Sequence, residues 1–339
     1  MKRCLQLAEN GIGHVFTNPL VGCVLVEDNR IIGEGYHRFF GGPHAEVEAI
    51  NSVRESHTLT HSTLYVNLEP CSHFGKTPPC CDLIISKGIP RVIIGMKDPF
   101  ARVNGEGIKK LRAAGIHVEV GLLEDPCREI NKRFICFHTR KRPYLVLKWA
   151  QSSNGMTGIR GQRMEISNRI SKMYAHKWRQ EEAGILVGSG TVLSDNPQLN
   201  TRLWQGPSPI RIIADRSGNL CGRHDLKVFD GSIRTLVLTQ QDNPDYPHSE
   251  VIRIADHGDF FDASLQHLHQ IGIISVLVEG GSRIHQLLLE RNLWDECRVF
   301  VSRENLENGI PAPTLPAGAR VDTMLEDNLL ITIRNPDTV

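Results

Sequence analysis

Residues 43–54 read PHAEVEAINSVR and residues 63–81 read TLYVNLEPCSHFGKTPPCC, and the reading of these two stretches decides the fold of the first half of the chain. In the first, Val47, Ala49, Ile50 and Val53 are the apolar residues of a helix predicted over Ala45–Arg54. In the second, Thr63–Leu68 reads as a strand, and Pro79-Cys80 opens a helix over Cys80–Lys87 that Gly88 stops.

Working outward, Lys2–Glu9 is a predicted helix and Val21–Glu27 a predicted strand. Asp28-Asn29 turns that strand back into Ile31–Gly35 as a hairpin. Val92–Gly95 and Val118–Val120 read as strands around a helix at Gly105–Ala114. Strands separated by helices of this length predict a three-layer α/β domain with a largely parallel sheet. The basic run His138-Thr139-Arg140-Lys141-Arg142-Pro143 reads as a solvated linker, placing one domain at 1–140 and a second at 143–339.

The second half opens with the buried strand Tyr144–Ala150. Ile170–Glu182 is an amphipathic helix, and Ala183–Val187 leads into Gly188-Ser189-Gly190-Thr191. Further strands are predicted at Ile210–Ala214, Thr235–Leu238 and Ser275–Glu279, after which Gly280-Gly281-Ser282 opens the helix Ile284–Leu289. Beyond Ser302 only Leu329–Ile333 reads as a strand.

The composition supports two globular domains, with 339 residues, 40% hydrophobic and 23% charged. A net charge of +1 gives no general pull toward nucleic acid or membrane, so any anion must be held by a local cluster. No run of eighteen apolar residues predicts a transmembrane helix, and the basic start lacks the apolar core of a signal peptide. Seven of the nine Cys lie before residue 140, which suits a reduced, cytoplasmic protein with thiol or metal chemistry in its first half.

The chemistry concentrates where His44-Ala45-Glu46 starts one helix and Cys71 and Cys80 flank another strand-to-helix junction. One His and two Cys suit zinc, with a fourth tetrahedral position open. Zinc lowers the pKa of a bound water toward neutrality. Glu46 reaches the same cavity without ligating and is placed to carry a proton from water to a leaving amine. Zinc nucleobase deaminases use this logic in H-x-E and P-C-x-x-C form. Here the second thiolate is set off from Cys71 by SHFGKTPP, and Cys71 and Cys80 taken alone also suit a structural zinc site.

Asn18-Pro19-Leu20-Val21-Gly22, Gly33-Glu34-Gly35-Tyr36-His37, His44-Ala45-Glu46 and the stretch Leu68–Asp82 resemble the deaminase half of the bifunctional riboflavin-biosynthesis deaminase/reductases. The resemblance implies a cytidine-deaminase-like α/β/α domain, one zinc per chain on His44, Cys71 and Cys80, and Glu46 as proton shuttle. Cys81 is the rival for the last ligand, and the family pattern favours Cys80. The implied substrate is a small phosphorylated pyrimidine, a diaminohydroxypyrimidine bearing a phosphoribosylamino group.

The second half has no GxGxxG after a strand, so the common dinucleotide fingerprint is absent. Residues 147–152, 166–168, 178–182, 187–202, 211–215 and 278–281 nevertheless resemble the reductase half of the same family. That resemblance implies a dihydrofolate-reductase-like α/β domain and NADPH as reductant. It implies substrate contacts at Arg163, Arg179, Leu199, Arg202 and Glu279, with the two guanidinium groups of Arg179 and Arg202 holding the phosphate. Ala150, Glu165, Thr191, Asp195, Arg216 and the run Gly281, Ser282, Arg283, Ile284, His285, Gln286 and Leu287 match the cofactor side. Glu165 stands where the family usually has Trp, Arg163 where it has Ser, Arg216 where it has a small polar residue and Asn154 where it has Asp. Asp195 is the acid nearest both pockets in this reading, and capping the turn before Pro197 is its alternative role.

The expected function is zinc-dependent deamination followed by NADPH-dependent reduction of the ribosyl group to ribityl. A single-activity zinc deaminase with a ligand-binding second domain is the alternative. An editing deaminase on nucleic acid is disfavoured by the neutral charge and 6% aromatic content. A zinc-binding interaction module leaves Glu46 unexplained. An assembly of identical chains is compatible with the sequence.

Overall fold

The computed structural model describes residues 1–73, 78–99, 105–159 and 164–338, with the side chains of 56–58 also outside the description. The chain divides into two compact units, Met1–Lys141 and Arg142–Val339.

In the first unit, α1 (Lys2–Glu9) precedes the hairpin of β1 (Gly22–Glu27) and β2 (Arg30–Tyr36). The hairpin turn places Asp28 and Asn29 at φ of 45° and 60°, the left-handed pair that suits the twist of a two-residue connection. Next come α2 (Ala45–Asn51), β3 (Thr63–Leu68), α3 (Cys80–Ser86), β4 (Arg91–Met96), α4 (Glu106–Ala113), β5 (His117–Val120), α5 (Glu124–Ile130) and α6 (Lys132–Arg140). The sheet order is β2-β1-β3-β4-β5. Only β3, β4 and β5 run parallel; β1 is antiparallel to both neighbours, so the expected largely parallel sheet is half antiparallel. The cause is local, because the tight hairpin reverses β1 before the first crossover helix begins. Buried residues of α2, α3 and α4 share one core with β1, β3 and β4, while α1 packs on the opposite face against Val24.

Half of the basic run expected to be a linker, His138–Arg140, is helix. α6 extends through Arg140 because Phe134, Cys136 and Phe137 give it a buried stripe. Lys141 caps it at φ 56°, and Arg142 belongs to the second unit, donating Nη2 to Asp295 Oδ1 at 2.9 Å. The same carboxylate accepts the Leu145 N–H at 2.7 Å.

The second unit begins with β6 (Tyr144–Gln151), α7 (Arg169–Glu181), β7 (Gly184–Gly188), α8 (Ser189–Asp195), β8 (Ile210–Ala214), β9 (Thr235–Thr239) and β10 (Glu250–Arg253). It ends with α9 (Phe260–Gln270), β11 (Ser275–Val278), α10 (Ser282–Glu290), β12 (Glu296–Val301), β13 (Arg320–Leu325) and β14 (Asn328–Arg334). The nine strands order as β10-β9-β8-β7-β11-β6-β12-β14-β13, parallel through β12 and antiparallel beyond it. Residues of α9 and α10 pack against Leu145, Leu147 and Trp149 on one face. On the other, Val192 of α8 packs against Ile185, Val187 and Ile213.

The chain leaves β7 toward β8 and leaves β11 in the opposite direction toward β12, although β7 and β11 are neighbours. A crevice opens where connections diverge like this, at the carboxyl ends of the strands. The two glycine clusters lie at those two strand ends.

Candidate active sites

The candidate metal-binding residues come from three places that the first sheet gathers. His44 is the residue before α2, Cys71 lies beyond the end of β3, and Cys80 is the first residue of α3. His44 Nδ1 lies 3.5 Å from Cys71 Sγ and 3.3 Å from Cys80 Sγ, and all three donor atoms fall within 4.8 Å of one another. Ligand bonds of about 2.1 Å to nitrogen and 2.3 Å to sulfur at tetrahedral angles give donor separations of about 3.6 Å, so the three donors fit a zinc ion.

The backbone N–H of Cys80 donates to Cys71 Sγ at 3.2 Å. The Cys80 thiol, then His44 and this backbone N–H, hold the Cys71 thiol well below its ordinary range against burial, while Cys71 and burial push the Cys80 thiol up. Cys81 is also buried, but its Sγ faces the carbonyls of Pro70 and Gly107, at 3.3 and 3.7 Å. Glu46, the second residue of α2 and 3% exposed, is pushed up to about 7, chiefly by burial and then by the Cys71 sulfur.

Two supports of this site carry no role in the sequence reading. His37 Nδ1 lies 2.9 Å from the Pro43 carbonyl, which only accepts, so Nδ1 carries the proton and Nε2 accepts from the Asn18 amide at 2.9 Å. The His37 ring stands edge-on to His44, 5.7 Å between centroids. Glu69, just before Pro70-Cys71, is buried and accepts the N–H groups of Asp98, Gly105 and Gly107 at 3.2, 3.0 and 2.9 Å. It thereby ties the ligand loop to the start of α4, and Gly107 is required there because a Cβ would sit 2.2 Å from the Pro70 carbonyl oxygen.

In the second unit, Arg179 of α7 meets Glu279 beyond β11, with Nε–Oε1 at 2.7 Å and Nη2–Oε2 at 2.8 Å. Arg179 Nη1 also donates to the Asn200 carbonyl at 3.0 Å. Burial would raise the Glu279 carboxyl, but Arg179 and Lys148 outweigh it and hold it at about 2. Lys148 of β6 places Nζ 4.0 Å from Glu279 Oε2, and burial lowers its ammonium from the ordinary value. His176, one turn before Arg179, is driven down to about 4 by burial and by the cations of Arg179 and Arg202. Arg202 is exposed and donates to Asn200 Oδ1 at 3.0 Å.

Where the connections diverge, a Cβ on Gly280 would lie 2.7 Å from Val187 Cβ, so only glycine lets the two strand ends approach this closely. Thr191 and Gly281 are near neighbours there.

The family model for the cytidine and deoxycytidylate deaminase zinc-binding region matches residues 1–96, and that for the RibD C-terminal domain matches residues 143–302. The riboflavin biosynthesis protein RibD of Aquifex aeolicus is 37% identical over 91% of this chain and 88% of its own length. The chain belongs to the RibD family. A diaminohydroxyphosphoribosylaminopyrimidine deaminase/5-amino-6-(5-phosphoribosylamino)uracil reductase from Thermotoga maritima matches with a TM-score of 0.90 at 39% identity, over 98% of this chain and 97% of its own. An Acinetobacter baumannii RibD matches at 0.87 and 28% identity over the same shares. This RibD-family chain is thus bifunctional, a zinc-binding deaminase domain of cytidine-deaminase type followed by a RibD reductase domain. Among the described residues no helix is long and apolar enough to cross a membrane.

The other residues singled out in the RibD reductase half are dispersed. Arg163 lies outside the described residues. Arg179 does not form the surface ion pair with neighbouring Glu181 or Glu182 that its position suggests, since its fork faces Glu279. Leu199 is 2% exposed at φ 52° and packs in the core with Val192 and Ile213. Glu165 is exposed and pairs with Lys172. Asp195 is exposed and ends α8, accepting the Ser194 hydroxyl at 2.8 Å, while Asn196 caps that helix in the left-handed conformation. Arg216 is exposed, with Nε donating to Gln240 Oε1 at 2.6 Å. Ala150 is half-buried at the carboxyl end of β6. Ser282 through Leu287 lie in α10, where His285 turns inward and Nε2 donates to the Val278 carbonyl at 2.9 Å. Lys148 is the residue the sequence reading missed; a lysine inside the apolar run Tyr144–Ala150 is the signal that marks it.

Proposed function

We propose that this chain catalyses two consecutive steps: hydrolytic deamination of 2,5-diamino-6-(5-phosphoribosylamino)pyrimidin-4-one, then NADPH-dependent reduction of the ribosyl group of 5-amino-6-(5-phosphoribosylamino)uracil to ribityl. The observation that carries this reading is the meeting of His44 Nδ1, Cys71 Sγ and Cys80 Sγ around one point, beside a buried Glu46. The Thermotoga relative, whose name states both activities, supports it.

In the first unit, His44, Cys71 and Cys80 hold a single zinc ion, which when bound supplies the Lewis acidity that makes water a nucleophile near neutral pH. Glu46 accepts a proton at its carboxylate and returns it to the departing ring amine, which leaves as ammonia. His37 keeps the chain entering α2 in place through the Pro43 carbonyl.

In the second unit, NADPH would supply the hydride, and the β7 and β11 ends, where the strand connections diverge, are the place that would hold it. Thr191, Asp195, Gly281 and the start of α10 would hold it, with Ala150, Glu165 and Arg216 as further contacts and the buried His285 anchoring α10 through the Val278 carbonyl. Arg202 and Arg163 hold the substrate phosphate. Arg179 keeps the Glu279 carboxylate ionised and oriented toward the substrate, and Lys148 adds a third charge to that cluster. Leu199 supports this pocket from the core, where it packs with Val192 and Ile213. The substrate is a free small molecule, neither nucleic acid nor membrane, and the setting is cytoplasmic.

The test is incubation of the full chain with the phosphoribosylaminopyrimidine, with and without NADPH, scored by product mass. The uracil form without NADPH and its ribityl derivative with NADPH are expected. Deamination without any NADPH-dependent product would leave only the single-activity reading.

A further inference from the structure

Because β12 runs parallel to β6 with Arg298 opposite Lys148, and Cys297 and Val299 point into the α9–α10 core, the alternate residues Arg298 and Phe300 face α7. On that face the Phe300 ring lies parallel to Trp178, 5.1 Å between centroids at 8°. Each ring carries a cation: Arg298 Cζ is 4.9 Å from the Trp178 centroid, and Lys148 Nζ is 5.6 Å from that of Phe300. Phe300 is fully buried.

Lys148 has a problem that this arrangement answers. Its side chain is 14% exposed, and at 4.0 Å its pairing with Glu279 is too long for a hydrogen bond. Both oxygens of Glu279 are already bonded by Arg179. An ammonium in such a place needs attraction that keeps it charged and pointed in one direction. The negative face of an aromatic ring supplies that attraction without consuming any N–H donor. A carboxylate in the same place would take donors that a ligand needs.

We propose that Phe300, backed by Trp178, is a positioning residue of the reductase site: its ring face holds the Lys148 ammonium beside Glu279 with its N–H donors directed to the pyrimidine substrate. The proposal rests on the reading of Lys148, Arg179 and Glu279 as the reductase substrate site.

The test places mono-, di- and trifluorinated phenylalanine at position 300 of the full chain. Each fluorine drains the ring face of negative potential with little change of shape. The expected result is a stepwise fall in reductase kcat/KM for the phosphoribosylaminouracil, carried by KM and reaching about tenfold at the trifluorinated ring, the size of a weakened buried cation–π contact. The KM for NADPH and the deaminase rate stay constant. A packing role alone predicts a flat series, and a flat series overturns the proposal. Lys148→Met, measured alongside, keeps the two levels apart. If it abolishes reduction while the series is flat, the positioning role falls and the site stands. If Lys148→Met reduces normally, the site reading falls and the proposal with it.

Discussion

Arg179 and Glu279 are 100 residues apart in the chain and joined by two charge-assisted hydrogen bonds, at 2.7 and 2.8 Å. Their side chains are only 12% and 9% exposed, so each charge depends on the other for compensation. The pairing also spends the planar fork of Arg179 on a carboxylate rather than on a phosphate.

Removing one partner of a buried pair strands the other charge. Arg179→Ala therefore destabilises the second unit by about 3–5 kcal/mol and abolishes reduction. Arg179→Met combined with Glu279→Leu recovers much of that stability but no reductase activity. Arg202→Ala, at an exposed position, leaves unfolding unchanged and weakens use of the phosphorylated substrate by about 1.5–3 kcal/mol. Thermal unfolding and reductase kinetics on the three variants distinguish these outcomes; an equally destabilised Arg202→Ala would count against the division of roles.

The Glu279 carboxyl is held at about 2 in the folded chain against an ordinary value of 4.5. A depressed carboxyl contributes stability above its unfolded pKa and loses it as pH falls through the folded one. Between pH 4.5 and 2 the wild type should lose up to about 3 kcal/mol through this group. Urea unfolding across that window, compared with the double variant lacking the pair, isolates the contribution. Identical slopes would mean Glu279 is not ionically held.

At the metal site, Cys71→Ser and Cys80→Ser should each lose zinc, whereas Cys81→Ser should keep it. The Cys81 sulfur faces two backbone carbonyls and not His44. Metal content of the purified full-length variants decides the matter, and loss from Cys81→Ser with retention in Cys80→Ser would reverse the ligand assignment.

Glu46→Gln preserves size and leaves the three donors in place but cannot shuttle a proton. Zinc content should be normal, and deamination should fall by about 10²–10⁴-fold. Reduction of the already deaminated substrate should proceed at the wild-type rate. Near-normal deamination would remove Glu46 from the mechanism.

Arg216 projects from the turn that Asp215 organises by accepting the Asn219 and Leu220 N–H groups at 3.0 and 2.8 Å. In the proposed reading it meets the 2′-phosphate that distinguishes NADPH from NADH. Arg216→Ala should lower the ratio of kcat/KM for the two cofactors by about tenfold, a charged hydrogen bond's worth, without changing the KM for the pyrimidine. An unchanged ratio would assign Arg216 to solvent.

The proposed zinc ligands and Glu46 were legible because their chemistry is local: His44-Ala45-Glu46 and Pro79-Cys80 mark two helix starts, and Cys71 follows a strand in Glu69-Pro70-Cys71. The α/β alternation was legible for the same reason, since apolar runs such as Ile210–Ala214 and Ser275–Val278 need no partner to be recognised. Other elements carry their signal in tertiary pairing. β12 is interrupted by Glu296 and Arg298, which look like loop residues until Arg298 Nε is seen bonded to Glu296 at 2.6 Å. α5 carries Pro126 in its first turn, and β13 is an exposed edge strand with little apolar pattern. The sequence by itself determined which residues are candidates for zinc, Cys81 among them, and where the chain alternates strand with helix, because residue type and short-range spacing govern both. Only the tertiary structure decided that Arg179 faces Glu279, that Cys81 turns away from the metal donors and that Lys148 stands over Phe300. Each of those choices depends on which strands and helices become neighbours, and that information is distributed over the whole sheet rather than written at any one position.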